Sequence, residues 1–300
     1  MIIARNLLER FVAPIIFLVA ISSSIAQSAQ STELSVTNAA PAQGETIELT
    51  ATTDGSAGAP PSVTFNKQTY KLFPRGGSAD SNKYVALLAI PADIKPGKYQ
   101  VLAGSDRVDL TVKAGKFPIQ YLTLPKSKDN FLMSPGEEEG IAAAKATVSD
   151  KRMWTGVFTV PSKYATSSKF GMKRVVNGKL LDDYFHSGLD FRAPAGTPIV
   201  SCAPGKVVLV GLKWRLHGNC VAVDHGQGVI SIYIHMTSVG VKVGQDVEAG
   251  QKLGTVGSTG RASGPHLHWS LYVNNVATNP QPWIAVPNSK AWLAKTSAAE

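Results

Sequence analysis

Histidine and cysteine are both scarce in this chain of 300 residues, and where they are missing excludes as much as their numbers do. No histidine and no cysteine stands between residues 32 and 113, nor does any convergent polar cluster, so nothing in that stretch points to catalysis, and binding, spacing or chain-folding roles stay open to it. Only two cysteines occur, Cys202 and Cys220, and neither has a basic neighbour in sequence that would make it a nucleophile. The longest apolar run, Phe11 to Ala20, falls short of the roughly 20 residues that cross a bilayer, and it fades into serines and glutamines. No cysteine follows it to carry a lipid. No heptad pattern is sustained from 27 to 165, which excludes a long coiled coil, and no nucleic-acid recognition motif is present.

What is present begins with an export signal. Arg5 and Arg10 precede the apolar run, and Ser22-Ser-Ser-Ile-Ala26 puts small residues three and one before a cleavage point after Ala26, so residues 1–26 read as a signal peptide. Its removal takes away Arg5, Arg10 and Glu9 and lowers the formal net charge from +9 to +8. A basic exported protein meets polyanions outside the cytoplasm rather than nucleic acid. Between Lys151 and Leu181 there are seven basic residues and no acidic one (Lys151, Arg152, Lys163, Lys169, Lys173, Arg174 and Lys179), a run that would steer an anionic substrate if it formed one face.

Residues 32–113 carry short apolar runs, Thr46 to Ala51, Tyr84 to Ile90, Tyr99 to Ala103 and Val108 to Val112. Turn signals at Asp54-Gly55, Pro74 to Gly77 and Pro96-Gly97 separate them, which predicts a small immunoglobulin-like β-sandwich. Residues 114–165 read as a proline-broken connector. Within it Ser134-Pro135-Gly136-Glu137 has the form of a capping box leading into a helix over 138–147. So short and alanine-rich a helix needs a partner to pack on. From 166 to 288 closely spaced glycines punctuate valine and isoleucine runs, predicting a second mainly β domain, and 289–300 form a tail. Cys202 and Cys220 both fall on predicted strands of that domain. In an exported protein an even count suggests a Cys202–Cys220 bridge.

All six histidines lie in this second domain, and two short stretches stand out: His186-Ser-Gly-Leu-Asp190 and His266-Leu-His268. Catalytic zinc takes three ligands from His, Asp, Glu or Cys, and the two stretches supply histidines and a carboxylate in excess of that. Trp269 to Val273 favours a strand, where His266 and His268, two apart, project from one face. Fully extended, His186 and Asp190 would lie about 13 Å apart, slightly too far to share an ion, so a bend is expected at Gly188. His225 and His217 belong to turns and are left outside the site.

These stretches, with Tyr233-Ile-His235 between them, resemble the lysostaphin/LytM family of zinc peptidoglycan endopeptidases over residues 170–283. The match takes in Asn177-Gly178, His186 through Phe191 to Gly196-Thr-Pro, Gly218-Asn219, Val223-Asp-His-Gly226, and Gly257-Ser-Thr-Gly260 leading to Gly264-Pro-His-Leu-His268. The resemblance implies a LytM-type antiparallel β-sheet metallopeptidase domain with one zinc per chain held by His186, Asp190 and His268, and with His235 and His266 flanking the reacting group. It implies peptidoglycan cross-link peptides as substrate, a periplasmic location given no wall-sorting tail or wall-binding repeat, and some activity in residues 160–300 alone. An alternative within the family is a non-catalytic activator of other wall hydrolases. Val241 to Gly254, with an earlier version at Gly196 to Val207, also resembles the hairpins of lipoyl and biotinyl carrier domains, but a carrier would leave the histidines without a use.

Overall fold

A computed structural model describes residues 32–54, 62–76, 82–104, 106–126 and 131–284. The expected signal segment 1–26 and the expected tail 289–300 lie outside the described residues. Among those described, no helix is long and apolar enough to cross a membrane. The structure is mainly β, built from antiparallel sheets.

The N-terminal part is a two-sheet sandwich. One sheet has the order Thr32–Val36, Thr46–Thr53, Lys83–Ala89, Phe73–Pro74, and the other Gln68–Tyr70, Val63–Phe65, Gly97–Ala103, Asp106–Val112. Ile47, Leu49, Phe65, Leu88, Val101 and Leu110 fill the space between them. The Lys83–Ala89 strand shows why its sequence runs apolar without alternation. Ala86 and Leu88 face the sandwich core, while Leu87 and Ala89 face the core of the second domain. The junction is polar at its edges: Asn274 Nδ2 donates to the Leu87 carbonyl at 2.9 Å, and the buried Thr46 and Thr278 hydroxyls meet at 2.6 Å.

The second domain is a ten-stranded sheet. Its main path runs Thr166–Ser168, Gly188–Phe191, Leu267–Val273, Val229–Val239, Asn219–Asp224, Gly205–Gly211, Asp246–Val247, and Pro198–Val200, Lys252–Val256 and Val276–Thr278 pair at its flanks. Alternation along the strands divides it into two faces. Leu189, Phe191, Val221, Val223, Leu267, Trp269 and Leu271 look into one large core with Trp154, Phe158 and Trp283. Cys220, Ala222, Ile230 and Ile232 look the other way, against Ile141 and Ala144 of the helix Glu137–Lys145.

That division overturns the expected disulfide. Cys202 sits not on a strand, as expected, but in a bend between Pro198–Val200 and Gly205–Gly211, buried in the first core, whereas Cys220 on Asn219–Asp224 is buried in the second, and both are free thiols. Lying in one domain is not enough for a bridge when the two thiols are buried in different cores.

The connector is more than a spacer. Its strand Ile119–Leu122 pairs in parallel with Lys173–Val176, which turns back through Asn177-Gly178 into Lys179–Leu180. This small sheet stands beside the helix-covered face. The helix itself starts at Glu137, not 138, after Gly136 at φ +76, and no side chain caps it. The anticipated capping box is half made: Glu137 Oε2 accepts from the Ser134 amide at 2.7 Å, but the Ser134 hydroxyl accepts from the Arg215 amide at 2.9 Å instead. The basic run from Lys151 to Lys179 does not form one face either. Arg152 is stacked 3.6 Å from the Trp154 ring near the domain junction, whereas Arg174 reaches into the cleft described next.

Candidate metal centre and its cleft

Register decides which side chains meet. Asp190 pairs with His268 across neighbouring strands, and Gly188 pairs with Ser270, so Asp190 and His268 project together from the face opposite Leu189 and Trp269. No bend is needed at Gly188, which lies inside an extended strand. The chain leaves the sheet before it, and His186 is tied by its backbone to Gly171 and Met172. Gly188 is needed for another reason. A Cβ there would sit 2.2 Å from the Trp269 carbonyl, so glycine lets the two strands close.

The result is three buried groups around one point. His186 Nε2 lies 3.0 Å from Asp190 Oδ1 and 2.9 Å from His268 Nδ1, and His268 Nδ1 lies 2.8 Å from the same Asp190 oxygen. The outer nitrogen fixes the tautomer of His186. His186 Nδ1 faces the Lys169 carbonyl at 2.8 Å, which only accepts, so that nitrogen carries the hydrogen and Nε2 turns a lone pair inward. His268 Nε2 contacts the Ser270 hydroxyl at 2.7 Å, leaving Nδ1 to face inward. Burial first, only partly offset by the Asp190 hydrogen bond, pushes His268 down to about 4, so at neutral pH it does not supply a proton to fill the gap. Burial alone would raise Asp190, but electrostatic interaction and hydrogen bonding with His186, and then with His268, hold it well below the usual carboxylate range. Two imidazole lone pairs and a carboxylate at these spacings repel unless a cation lies among them, and nitrogen and oxygen donors of this kind suit zinc. Arg174 reaches the other Asp190 oxygen at 3.4 Å and is itself held by Gln120 at 3.2 Å.

Two more imidazoles face the same point. His266 Nδ1 contacts the Gly264 carbonyl at 2.9 Å and its Nε2 lies 3.9 Å from Asp190 Oδ1. His235 Nδ1 contacts the Thr259 carbonyl at 2.9 Å, and its ring centroid is 4.8 Å from that of His266. Strict alternation would have pointed His235 away, since Ile234 is the residue that pairs with His268. A β-bulge intervenes. Val221 pairs with Tyr233 but Asn219 pairs with Met236, which leaves one extra residue on the longer strand, and His235 adopts φ +65. A non-glycine residue held there costs about 1–3 kcal/mol and persists only when its surroundings impose it.

Four of the five groups, Asp190, His235, His266 and His268, line a cleft of about 400 Å³ whose walls include Gln120 and Leu122 from the connector strand, Arg192, Arg261 and Ser263, and His186 is buried behind them. His217 and His225 stay outside it. His225 is buried between the Pro204 carbonyl at 2.7 Å and the Ser231 hydroxyl at 2.8 Å. Sequence reading missed Gln120, Arg174 and Thr259 as parts of the site. Arg174 was visible only as a member of a basic run, and nothing in the sequence marked the other two.

Residues 184–280 match the Peptidase family M23. Over most of its length the chain also resembles the crystal structure of an M23 peptidase from Pseudomonas aeruginosa, 30% identical, covering 80% of this chain and 92% of that one at a TM-score of 0.54. The chain belongs to peptidase family M23. Among curated M23 relatives, it is 38% identical over 127 residues to the peptidoglycan DD-endopeptidase ShyA of Vibrio cholerae and 37% identical over 113 residues to the DD-carboxypeptidase/endopeptidase Mpg of Neisseria meningitidis. It is 36% identical over 150 residues to the cell division protein DipM of Caulobacter vibrioides. These matches take in 41%, 38% and 50% of this chain but only 28%, 26% and 22% of the respective relatives.

Proposed function

We propose that this M23 peptidase is an exported, zinc-dependent endopeptidase that hydrolyses peptide cross-links of bacterial peptidoglycan in the periplasm. The observation that carries the reading is the convergence of the inward lone pairs of His186 and His268 with the Asp190 carboxylate, beneath two further imidazoles aimed at the same point. The activities for which ShyA and Mpg are named support the substrate class. In this reading His186, Asp190 and His268 hold one zinc ion, the sandwich at 32–113 is an immunoglobulin-like accessory domain, and 166–288 is the peptidase domain.

Zinc bound there supplies Lewis acidity and brings the pKa of water near neutrality. The chain's own groups do the rest. His235 and His266 each donate from Nδ1 to a backbone carbonyl, so each neutral ring offers its Nε2 lone pair to the cleft. One of them takes a proton from the attacking water as its oxygen bonds to the scissile carbonyl carbon. A proton then passes to the amide nitrogen as the C–N bond breaks, giving a carboxylate and a free amine. Arg174 and Gln120 keep Asp190 oriented. Arg192, exposed on the cleft wall, suits the free carboxylates of stem peptides.

The test is direct. Mature protein loaded with zinc should convert cross-linked dimeric muropeptides to monomers, and a chelator should stop it. If sacculi with direct cross-links and with glycine bridges both stay intact while zinc is demonstrably bound, the chain is a non-catalytic activator instead.

A further inference from the structure

The positive φ of His235 needs something to impose it, and a buried glutamate far away in sequence is connected to it. Among the described residues Glu137 is the glutamate with no solvent exposure, and it lies outside the family-matched residues. Its Oε1 accepts from the Leu216 amide at 3.0 Å, the His217 amide at 2.8 Å and the His217 ring Nδ1 at 2.8 Å. Its Oε2 accepts from the Ser134 amide at 2.7 Å and the Arg215 amide at 3.1 Å. Three consecutive loop amides thus end on one carboxylate. Burial alone would raise its pKa, but the Ser134 and His217 bonds outweigh burial and keep it below the ordinary range, so it is ionised at neutral pH.

The loop it grips hands the constraint on. The bulge removes the His235 amide from the strand ladder, and a buried amide must find another acceptor. That acceptor is the His217 carbonyl at 3.0 Å. The Leu216 carbonyl accepts from the Arg261 amide at 2.9 Å, and the Asn219 amide donates to Thr259 Oγ1 at 3.0 Å. So the same loop fixes the segment whose Thr259 carbonyl orients the His235 ring. Contact is close throughout: a Cβ on Gly218 would lie 2.3 Å from Thr259 Oγ1, and one on Gly260 2.4 Å from the Gly218 nitrogen.

We propose that Glu137 is a positioning residue for the reaction, acting through the 215–217 loop to hold the His235 bulge, so that the connector helix is part of the catalytic apparatus. Glu137 never touches the reacting atoms; it sets where the His235 ring stands. Only the turnover readout of this proposal rests on the proposed hydrolysis. Glu137→Gln keeps the volume but replaces one accepting oxygen with a donor, leaving loop amides unpaired.

In full-length zinc-loaded protein, Glu137→Gln is expected to lower kcat about 100-fold, the scale of an ångström-sized misplacement, with KM within about twofold. Zinc content should be unchanged, and amide hydrogen exchange at His235 should rise at least about tenfold. Turnover within twofold of wild type in a folded variant overturns the proposal, and so does unchanged exchange at His235. If Glu137→Gln does not fold, Ser134→Ala, which removes only the hydroxyl that accepts from Arg215, is judged by the same two readouts with smaller expected changes. Should the wild type itself cleave nothing, the hydrolase reading fails while His235 exchange still decides whether Glu137 positions the bulge.

Discussion

Backbone carbonyls on the outer nitrogens choose the tautomers of His186, His235 and His266, while His268 turns its outer nitrogen to the Ser270 hydroxyl, and the inward atoms separate two groups of residues by consequence. His186, Asp190 and His268 turn donor atoms inward as the proposed ligands, so replacing any of them by alanine should weaken zinc binding by more than roughly 100-fold, the upper range for loss of a mere supporting partner. Zinc retained stoichiometrically by all three variants after dialysis would refute the ligand set. His235→Ala and His266→Ala should instead keep the metal and lose turnover by about 10²- to 10⁴-fold. Near wild-type rates in either would remove that residue from the reaction. His225 belongs to stability. Burial pushes it down to about 4, so between the ordinary pKa near 6.5 and about 4 the unfolded chain takes up a proton that the folded chain refuses. Stability is therefore full above that window and falls as pH drops through it, by roughly 3 kcal/mol in all. Urea unfolding at pH 7.5 and 5.0 should show a steeper loss in wild type than in His225→Gln; equal slopes would show that His225 does not control acid stability.

At the scale of elements, the site is made by how two strands are joined and one is interrupted. The Gly188–Phe191 and Leu267–Val273 strands deliver Asp190 and His268 side by side because they pair directly. Gly188→Ala would drive a methyl into the Trp269 carbonyl, which must part those strands just where the proposed metal ligands stand. Such overpacking against backbone costs about 1–3 kcal/mol or more, and the variant should lose both zinc affinity and thermal stability. Unchanged zinc affinity would mean the strands tolerate separation there. The interruption is the bulge in Val229–Val239, without which His235 would point into the core beside Tyr233.

For the whole molecule, the peptidase sheet does not end at a domain boundary. Leu87 and Ala89 of the sandwich complete its core, the strand Ile119–Leu122 walls its cleft, and the helix Glu137–Lys145 covers the rest of the site's face. A fragment of residues 160–300 lacks all three, so the activity expected of it from sequence should fall by about 100-fold or more against full-length protein. A fragment beginning at residue 114 should recover much of the turnover at a lower melting temperature. Comparable activity of the shorter fragment and the full chain would contradict the part assigned to the connector. The two cores also settle the thiols: burial pushes both Cys202 and Cys220 up to about 12. Neither should react with a thiol reagent in the native protein at pH 8, and two per chain should react after unfolding without reductant. Absence of free thiols on unfolding would restore the bridge.

The sequence by itself carried the class of the fold, because glycine-punctuated β-branched runs have few other ways to bury their apolar side chains. It also carried the candidate residues of the site, through the resemblance of His186 to Asp190 and of His266 to His268 to a known family, while its spacing argument for a bend at Gly188 failed. The tertiary structure decided what depends on partners distant in the chain. Cys202 and Cys220 looked alike until the fold buried them in different cores. Ser134 and Glu137 looked like a local cap until Arg215, Leu216 and His217 arrived to take their hydrogen bonds. His235 was legible as a site residue, but its direction was not, since a bulge is set by the register of neighbouring strands and a clamped loop. Local periodicity contains neither.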